Sequence, residues 1–131
     1  MPDLSSLFFS EHHQWIRIEG TTGTIGITDF AQSQMGDVVA VDMPRNGKQV
    51  TQFDEIGYVE STKVSSEIFT PVSGVVIGSN DLLDQSPMLV NDDPYGDGWL
   101  FKLEISDETE TAALMSYADY SARVGEPPSR S

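Results

Sequence analysis

The sequence predicts a mainly β domain, built as a sandwich or a barrel of many short strands. Glycines and prolines that favour turns recur at intervals of roughly eight to twelve residues. The runs between them are rich in β-branched and aromatic residues, as in QWIRIEG at 14–20 and WLFKLEIS at 99–106. Short strands at such even spacing are typical of sandwiches and barrels.

Seven runs are predicted as strands. Behind the first of them, the glycines of GTTGTIG favour a hairpin turn. A phosphate-binding glycine loop must open a helix, whereas Ile25, Ile27 and Thr28 follow here. The strands in chain order are QWIRIEG, TIGIT, DVVAVDM, EIGYVES, SEIFTPV, GVVIG and WLFKLEIS.

Helices are few before the C-terminal part of the chain. DFAQSQM predicts a short helix with Thr28 as N-cap and Gly36 at its end. NDLLD predicts one further turn, capped by Asn80.

The pattern becomes helical after residue 106. Asp107 and Glu110 have the spacing of a capping box before ETETAALM, and Ser116 can cap YADYSARV, which would end at Gly125. We expect residues 1–125 to form a single domain. The Pro- and Ser-rich residues 126–131 are expected to form a disordered tail.

Composition excludes several classes of function. The chain has 131 residues, a formal net charge of −14 and no cysteine. Its seven Lys and Arg residues form no patch, which argues against nucleic acid and against anionic membranes. No apolar run is long enough to span a membrane, and the first residues lack the pattern of a signal or transit peptide. We therefore expect a cytoplasmic protein, or a mitochondrial matrix protein if a transit peptide has been removed.

Two groups of polar residues suggest metal binding without meeting its requirements. Asp92, Asp93 and Asp97 cluster, but without the spacing of an EF-hand loop. An unmodified acidic β-domain that binds Ca²⁺ through them stays an alternative. His12 and His13 are adjacent, so they cannot both face one site from a strand. No metal site is predicted.

Lys63 is the most informative single residue. It is one of three lysines and sits in VESTKVSSEIFTPVSG (59–74), near a turn between two β-rich runs. A lysine there is accessible along its whole length. It is either an ordinary surface charge that guards an edge strand or a site of acylation, which would remove its charge.

Five segments of the chain resemble the glycine cleavage system H protein family, in the family's order and spacing. The likeness extends from about residue 12 to residue 120. The segments are HHQW, GITDFAQSQMGDVVAVDMP, VESTKVSSEIFTPVSG, LVNDDPYGDGWLFKLEIS and MSYADY.

The resemblance implies a lipoyl group in amide linkage on Lys63, at the tip of a hairpin that also holds Glu60, Ser61, Thr62 and Val64. It implies a barrel-sandwich hybrid of two small antiparallel sheets, with a short helix after residue 28 and helices at the C-terminus. Val64 replaces the family's usual Ala. Thr-Lys-Val matches neither the Met-Lys-Met of biotinyl carriers nor the Asp-Lys-Ala of 2-oxo acid dehydrogenase domains.

The resemblance also implies partners and a non-catalytic role. The chain would carry the aminomethyl group of glycine from glycine decarboxylase (P protein, pyridoxal phosphate) to aminomethyltransferase (T protein, tetrahydrofolate). Dihydrolipoamide dehydrogenase (L protein, FAD) would then reoxidise it, and lipoylating enzymes would attach the arm. An H-like lipoyl carrier that works outside glycine cleavage is the alternative.

A loaded arm ends in an amine, and a cleft with acceptor groups would hold it and exclude water. Glu67 is a candidate acceptor, in place of the family's usual Asp. Gln14, where the family has Glu, and Gln34 are two more. Neutral amides accept hydrogen bonds but pair with a cation less strongly than carboxylates do.

Overall fold

A computed structural model of the chain describes residues 4–124. Within this range the nine strands are β1 (Phe8–Phe9), β2 (Gln14–Glu19), β3 (Thr22–Ile27), β4 (Val38–Asp42), β5 (Gln49–Val50), β6 (Glu55–Ser61), β7 (Ser65–Phe69), β8 (Gly74–Ser79) and β9 (Phe101–Ile105). The four α-helices of the same range are α1 (Asp29–Met35), α2 (Leu82–Gln85), α3 (Leu89–Asp92) and α4 (Tyr117–Val124). Residues Leu4–Ser6 and Glu108–Ala113 form 3-10 helices.

The strands form two antiparallel sheets. One has six strands in the order β1-β2-β3-β9-β8-β5, and the other has three in the order β4-β6-β7. The prediction of a mainly β fold with two antiparallel sheets is therefore confirmed. The sheets are unequal in size and no closed barrel is formed in the part of the chain described, so the fold is better described as a sandwich.

Neighbouring side chains of β2 lie on opposite faces of the six-stranded sheet, because side chains alternate along a strand. Ile16 packs into a core shared with the three-stranded sheet, which we call the sandwich core. Trp15 packs on the other face, and both side chains are fully buried. The group around Trp15, which we call the aromatic cluster, consists of Leu4, Leu7, Phe9, Trp15, Tyr95, Tyr117 and Tyr120.

Helix α1 follows the prediction closely. It begins after Thr28, whose Oγ1 accepts a hydrogen bond from the Ala31 amide at 3.2 Å. It ends at Gly36, whose φ of +83° is open to glycine and strained for other residues. The helix therefore places its last residue and the two that follow it, residues 35–37, at a defined position.

The C-terminal helices are partly as predicted. Helix α4 forms, with Ser116 Oγ accepting from the Asp119 amide, but Glu108–Ala113 is a 3-10 helix. Asp107 caps this helix by accepting a hydrogen bond from the Thr109 amide at 3.0 Å. The Glu110 half of the predicted capping box is wrong, because Glu110 accepts hydrogen bonds from the Ser73 amide and hydroxyl at 2.6 and 2.8 Å. Gly125 and residues 126–131, the predicted helix end and tail, lie outside the described residues.

Candidate functional site

The site is built on the hairpin of β6 and β7. The last pair of the ladder is Glu60 with Ser65, and the Ser61 amide donates to the Val64 carbonyl at 2.8 Å. Thr62, Lys63 and Val64 form the tip, and all three are exposed. The chain therefore presents Lys63 at the apex of a tight turn.

The Ser61 side chain organises this turn. It is buried, and its Oγ accepts hydrogen bonds from the amides of Lys63 and Val64 at 3.2 and 3.1 Å. Its hydroxyl lies 2.8 Å from the Met35 carbonyl, to which it can donate. One buried hydroxyl thus fixes the backbone that carries the lysine.

The tip is also attached to the end of helix α1. The Thr62 amide donates to the Asp37 carbonyl at 3.0 Å, beside the Ser61 contact with Met35. The turn is therefore held by polar bonds to a second element, not by burial of its own side chains.

The side chain of Lys63 is exposed and its amine is free. Among residues 4–124 the ion pairs within 4.0 Å are Arg17 with Glu19 and Arg123 with Glu11. The methylene carbons of Lys63 lie over the backbone of Gly36. An amine of this kind can be acylated without first breaking an ion pair.

A cavity of about 320 Å³, which we call the side cavity, lies between the hairpin, α1 and the start of β2. Gln14 and Gln34 both line it. Gln14 is buried and Gln34 is exposed at the rim. Its other lining residues are His12, His13, Ile27, Phe30, Ala31, Met35, Val64, Ser66 and Ile68.

Glu67 is not brought together with these residues. Ser66 and Ile68 line the side cavity, and side chains alternate along β7, so Glu67 points to the opposite, exposed face. There it pairs in register with the exposed Tyr58. The hairpin therefore separates the carboxylate from the two glutamines.

His12 and His13 both line the side cavity, which sequence reasoning missed. The expectation that adjacent residues cannot face one site assumed a strand. The two histidines lie in the turn before β2, where His13 has a φ of +67°. Only their place within the HHQW segment could have indicated this. Their carboxylate and imidazole neighbours form no group that could hold a metal ion within residues 4–124.

The two rings differ in their contacts. The His12 ring lies 4.5 Å from that of Phe69, and its buried Nδ1 has no hydrogen-bond partner. His13 Nδ1 lies 2.8 Å from the Tyr120 hydroxyl, which lies 2.7 Å from Thr28 Oγ1. Burial, and then the positive charge of Arg123, lowers the pKa of His13. This favours a neutral imidazole at the wall of the cavity.

Asp92, Asp93 and Asp97 are the cluster considered as an alternative calcium site. The carboxylate of Asp93 is engaged in a hydrogen bond within this cluster. Asp93 accepts a hydrogen bond from the Asp97 amide at 2.9 Å, which closes the turn after α3. Asp92 and Asp97 are exposed. No helix in the described part of the chain is long and apolar enough to cross a membrane.

A sandwich of two antiparallel sheets with an exposed lysine at a hairpin tip is the arrangement of swinging-arm carrier domains. The family model described as glycine cleavage H-protein matches residues 7–126. The chain belongs to this family.

Curated relatives agree with the family match over nearly whole chains. A glycine cleavage system H protein of Carboxydothermus hydrogenoformans is 47% identical over 87% of this chain and 88% of its own. One of Marinobacter nauticus is 48% identical over 92% of this chain and 93% of its own. A crystal structure of a glycine cleavage system H protein from Mycobacterium marinum matches with a TM-score of 0.83 and 29% identity, covering 95% of this chain and 99% of that one.

Proposed function

We propose that this chain is a lipoyl carrier of the glycine cleavage system, with the lipoyl group in amide linkage on Lys63. The observation that supports this best is the free amine at the apex of a turn, beside a cavity, in a member of the H-protein family. The lysine supplies the attachment point and the sandwich supplies a rigid support for it.

The described residues fit such an arm. When attached, the lipoyl group supplies a disulfide that accepts the aminomethyl carbon and releases one sulfur as a thiol, and a dithiol that is later reoxidised. A cavity of about 320 Å³ is within the range of small-ligand sites. Ile27 and Phe30 give it an apolar wall, and amides and imidazoles give it polar groups.

Gln14 is the residue best placed to hold an amine inside the cavity. Its Nε2 donates to the His12 carbonyl at 2.8 Å, and its Oε1 accepts from Ser10 Oγ at 3.3 Å. An amide oxygen has two lone pairs, so one acceptor position is left for a guest. Gln34 supplies a second amide at the rim.

The partners proposed are glycine decarboxylase, which loads the arm, aminomethyltransferase, which unloads it, and dihydrolipoamide dehydrogenase, which restores the disulfide. Lipoylating enzymes would first form the amide with the Lys63 amine. The chain itself performs no catalysis and supplies reach, orientation and protection. Its bacterial relatives support a cytoplasmic location.

Intact mass after incubation with lipoate and lipoylating enzymes tests the proposal. We expect one lipoyl increment, mapped to Lys63, and none in Lys63→Arg. Lys48 and Lys102 serve as internal controls. The amine of Lys102 differs from that of Lys63, because its Nζ lies over the Trp99 ring at 5.0 Å. No increment on the folded chain, with enzymes active on a known substrate, would contradict the proposal.

Val64 favours a second candidate, an H-like lipoyl carrier that works outside glycine cleavage. It is 49% exposed beside Lys63, so a branched side chain meets any enzyme that approaches the lysine. Loading by glycine decarboxylase distinguishes the two. A lipoylated chain that the decarboxylase does not load would favour the second candidate.

A further inference from the structure

The segment between α1 and β4 contains a backbone conformation that only glycine adopts readily. Gly36 has φ +83° and ψ −160°, a region in which other residues are strained. The backbone conformation is already a sufficient reason for glycine at this position. The absence of a side chain there also leaves room for the stem of Lys63.

Asn91 of helix α3 fixes both sides of this segment. Its Nδ2 donates to the Gly36 carbonyl at 2.8 Å and to Gln32 Oε1 at 3.0 Å. Its Oδ1 accepts from the Val38 amide at 2.8 Å. From the other side, the hairpin bonds the carbonyls of Met35 and Asp37. Residues 35–38 are therefore held from two directions.

The side chain of Lys63 lies on this fixed segment. A Cβ added to Gly36 would lie 3.3 Å from Lys63 Cε, 3.5 Å from Cδ and 3.7 Å from Cγ. A side chain at position 36 would therefore touch the lysine stem, whose Cε would have to move by a few tenths of an ångström. The neighbours of these two residues in sequence, Met35 and Val64, both line the side cavity.

We infer that Gly36 is a positioning residue, which seats the stem of Lys63 and directs an attached arm toward the side cavity. The directing role rests on the proposed function. The contact between the Lys63 stem and the backbone of Gly36, which we call the seat, is a property of the unmodified chain. Asn91 acts through Gly36 by holding its carbonyl.

The seat is tested first in the unmodified protein. We expect nuclear Overhauser effects between the δ and ε protons of Lys63 and the α protons of Gly36. Their absence from the wild type would overturn the seat, whether or not the chain can be lipoylated.

The directing role is tested in the lipoylated, aminomethyl-loaded protein. Gly36→Ala is compared with Gly20→Ala, a matched control with φ +64° and nothing within 4 Å of an added Cβ. In the wild type and in Gly20→Ala, loading should shift the amide resonances of Ala31 and Ser66, which line the cavity. In Gly36→Ala these shifts should be lost and the aminomethyl group should be lost roughly tenfold faster.

A second variant covers the case in which Gly36→Ala does not fold. Asn91→Asp keeps the acceptor for the Val38 amide and removes the donor to the Gly36 carbonyl. We expect it to accelerate the loss about threefold. Loss rates and shifts equal to those of the wild type in the folded variants would overturn the directing role. A wild-type chain that accepts no lipoyl group would instead overturn the proposed function, and the directing role with it.

Discussion

The hairpin tip and the aromatic cluster hold their residues in opposite ways. Trp15 is fully buried, its ring lies 6.1 Å from that of Tyr95, and its Nε1 donates to the Pro94 carbonyl at 2.9 Å. Lys63 is exposed between two exposed neighbours and is positioned by hydrogen bonds to its backbone. The aromatic cluster is fixed by burial of its side chains. The hairpin tip is fixed by hydrogen bonds to its backbone, while the Lys63 side chain stays exposed.

This difference implies that stability and function can be changed separately. Burial of a large apolar side chain contributes about 1.5–3 kcal/mol, whereas an exposed side chain contributes little. Lys63, the proposed site of modification, therefore lies where a substitution should change the free energy of unfolding least. The predictions below test this separation.

Replacement of Lys63 by Arg should have the largest functional effect. We expect complete loss of lipoyl attachment, because the guanidinium cannot replace the primary amine, and a change in the free energy of unfolding of only about 0.5 kcal/mol. Urea unfolding and intact mass measure the two quantities. Lys48→Arg is the control and should leave both unchanged. A large loss of stability in Lys63→Arg would contradict the comparison.

Replacement of Trp15 by Ala should have the largest effect on stability. The loss of a fully buried ring is expected to cost about 3–5 kcal/mol. Urea unfolding gives this value, and mass after lipoylation should still show the increment on the fraction that remains folded. The partly buried Trp99, replaced in the same way, should cost less. Trp99 packs against the same cluster, so equal costs would show that the extent of burial does not set the loss of stability.

Ser61→Ala tests the hydrogen bonds that support the hairpin tip, because it removes a buried hydroxyl and leaves the Lys63 side chain in place. Removal of the hydroxyl leaves the Lys63 and Val64 amides without their acceptor, at a cost of about 1–3 kcal/mol. The rate of lipoyl attachment should also fall. The exposed Ser65, changed to Ala, is the control. An unchanged rate together with lower stability would show that the turn needs no fixed geometry for modification.

The titration of His13 should give a smaller effect. Its pKa is lowered in the folded protein, chiefly by burial, so the unfolded chain binds the proton more readily. The stability that the neutral ring contributes is present above the unfolded pKa of about 6.5 and is lost as pH falls through the folded pKa. We expect the free energy of unfolding to decline as the pH falls below about 6.5. Asparagine tolerates the positive φ of this position, so His13→Asn is the control. Its free energy of unfolding should decline less as the pH falls. An equal decline would show that other groups cause the effect.

Glu67 and Gln14 should give the smallest effects. Both were predicted to contact the arm, but the hairpin places them on opposite faces. We expect Gln14→Leu to accelerate loss of the aminomethyl group about threefold, and Glu67→Gln to accelerate it less. Mass spectrometry of the loaded protein over time measures both. A larger effect at Glu67 would mean that the arm docks on the outer face of the three-stranded sheet.

The sequence by itself determined the elements with strong local signals. The seven predicted strands form, because alternation and β-branched residues act within a few positions of one another. Helix α1 forms after Thr28 because its cap bonds to an amide three residues ahead. The five ordered segments also resemble the family whose model matches the chain, and this likeness lies in the sequence alone.

Only the tertiary structure decided the contacts that join distant residues. The two-residue strands β1 and β5 exist through their partners β2 and β8, and Glu110 turns from its own helix to Ser73. The side cavity, its two histidines and the seat of Lys63 on Gly36 depend on segments that are dozens of residues apart. No local pattern encodes such distances, because they are fixed by the packing of the sheets and by hydrogen bonds that exist only in the folded chain.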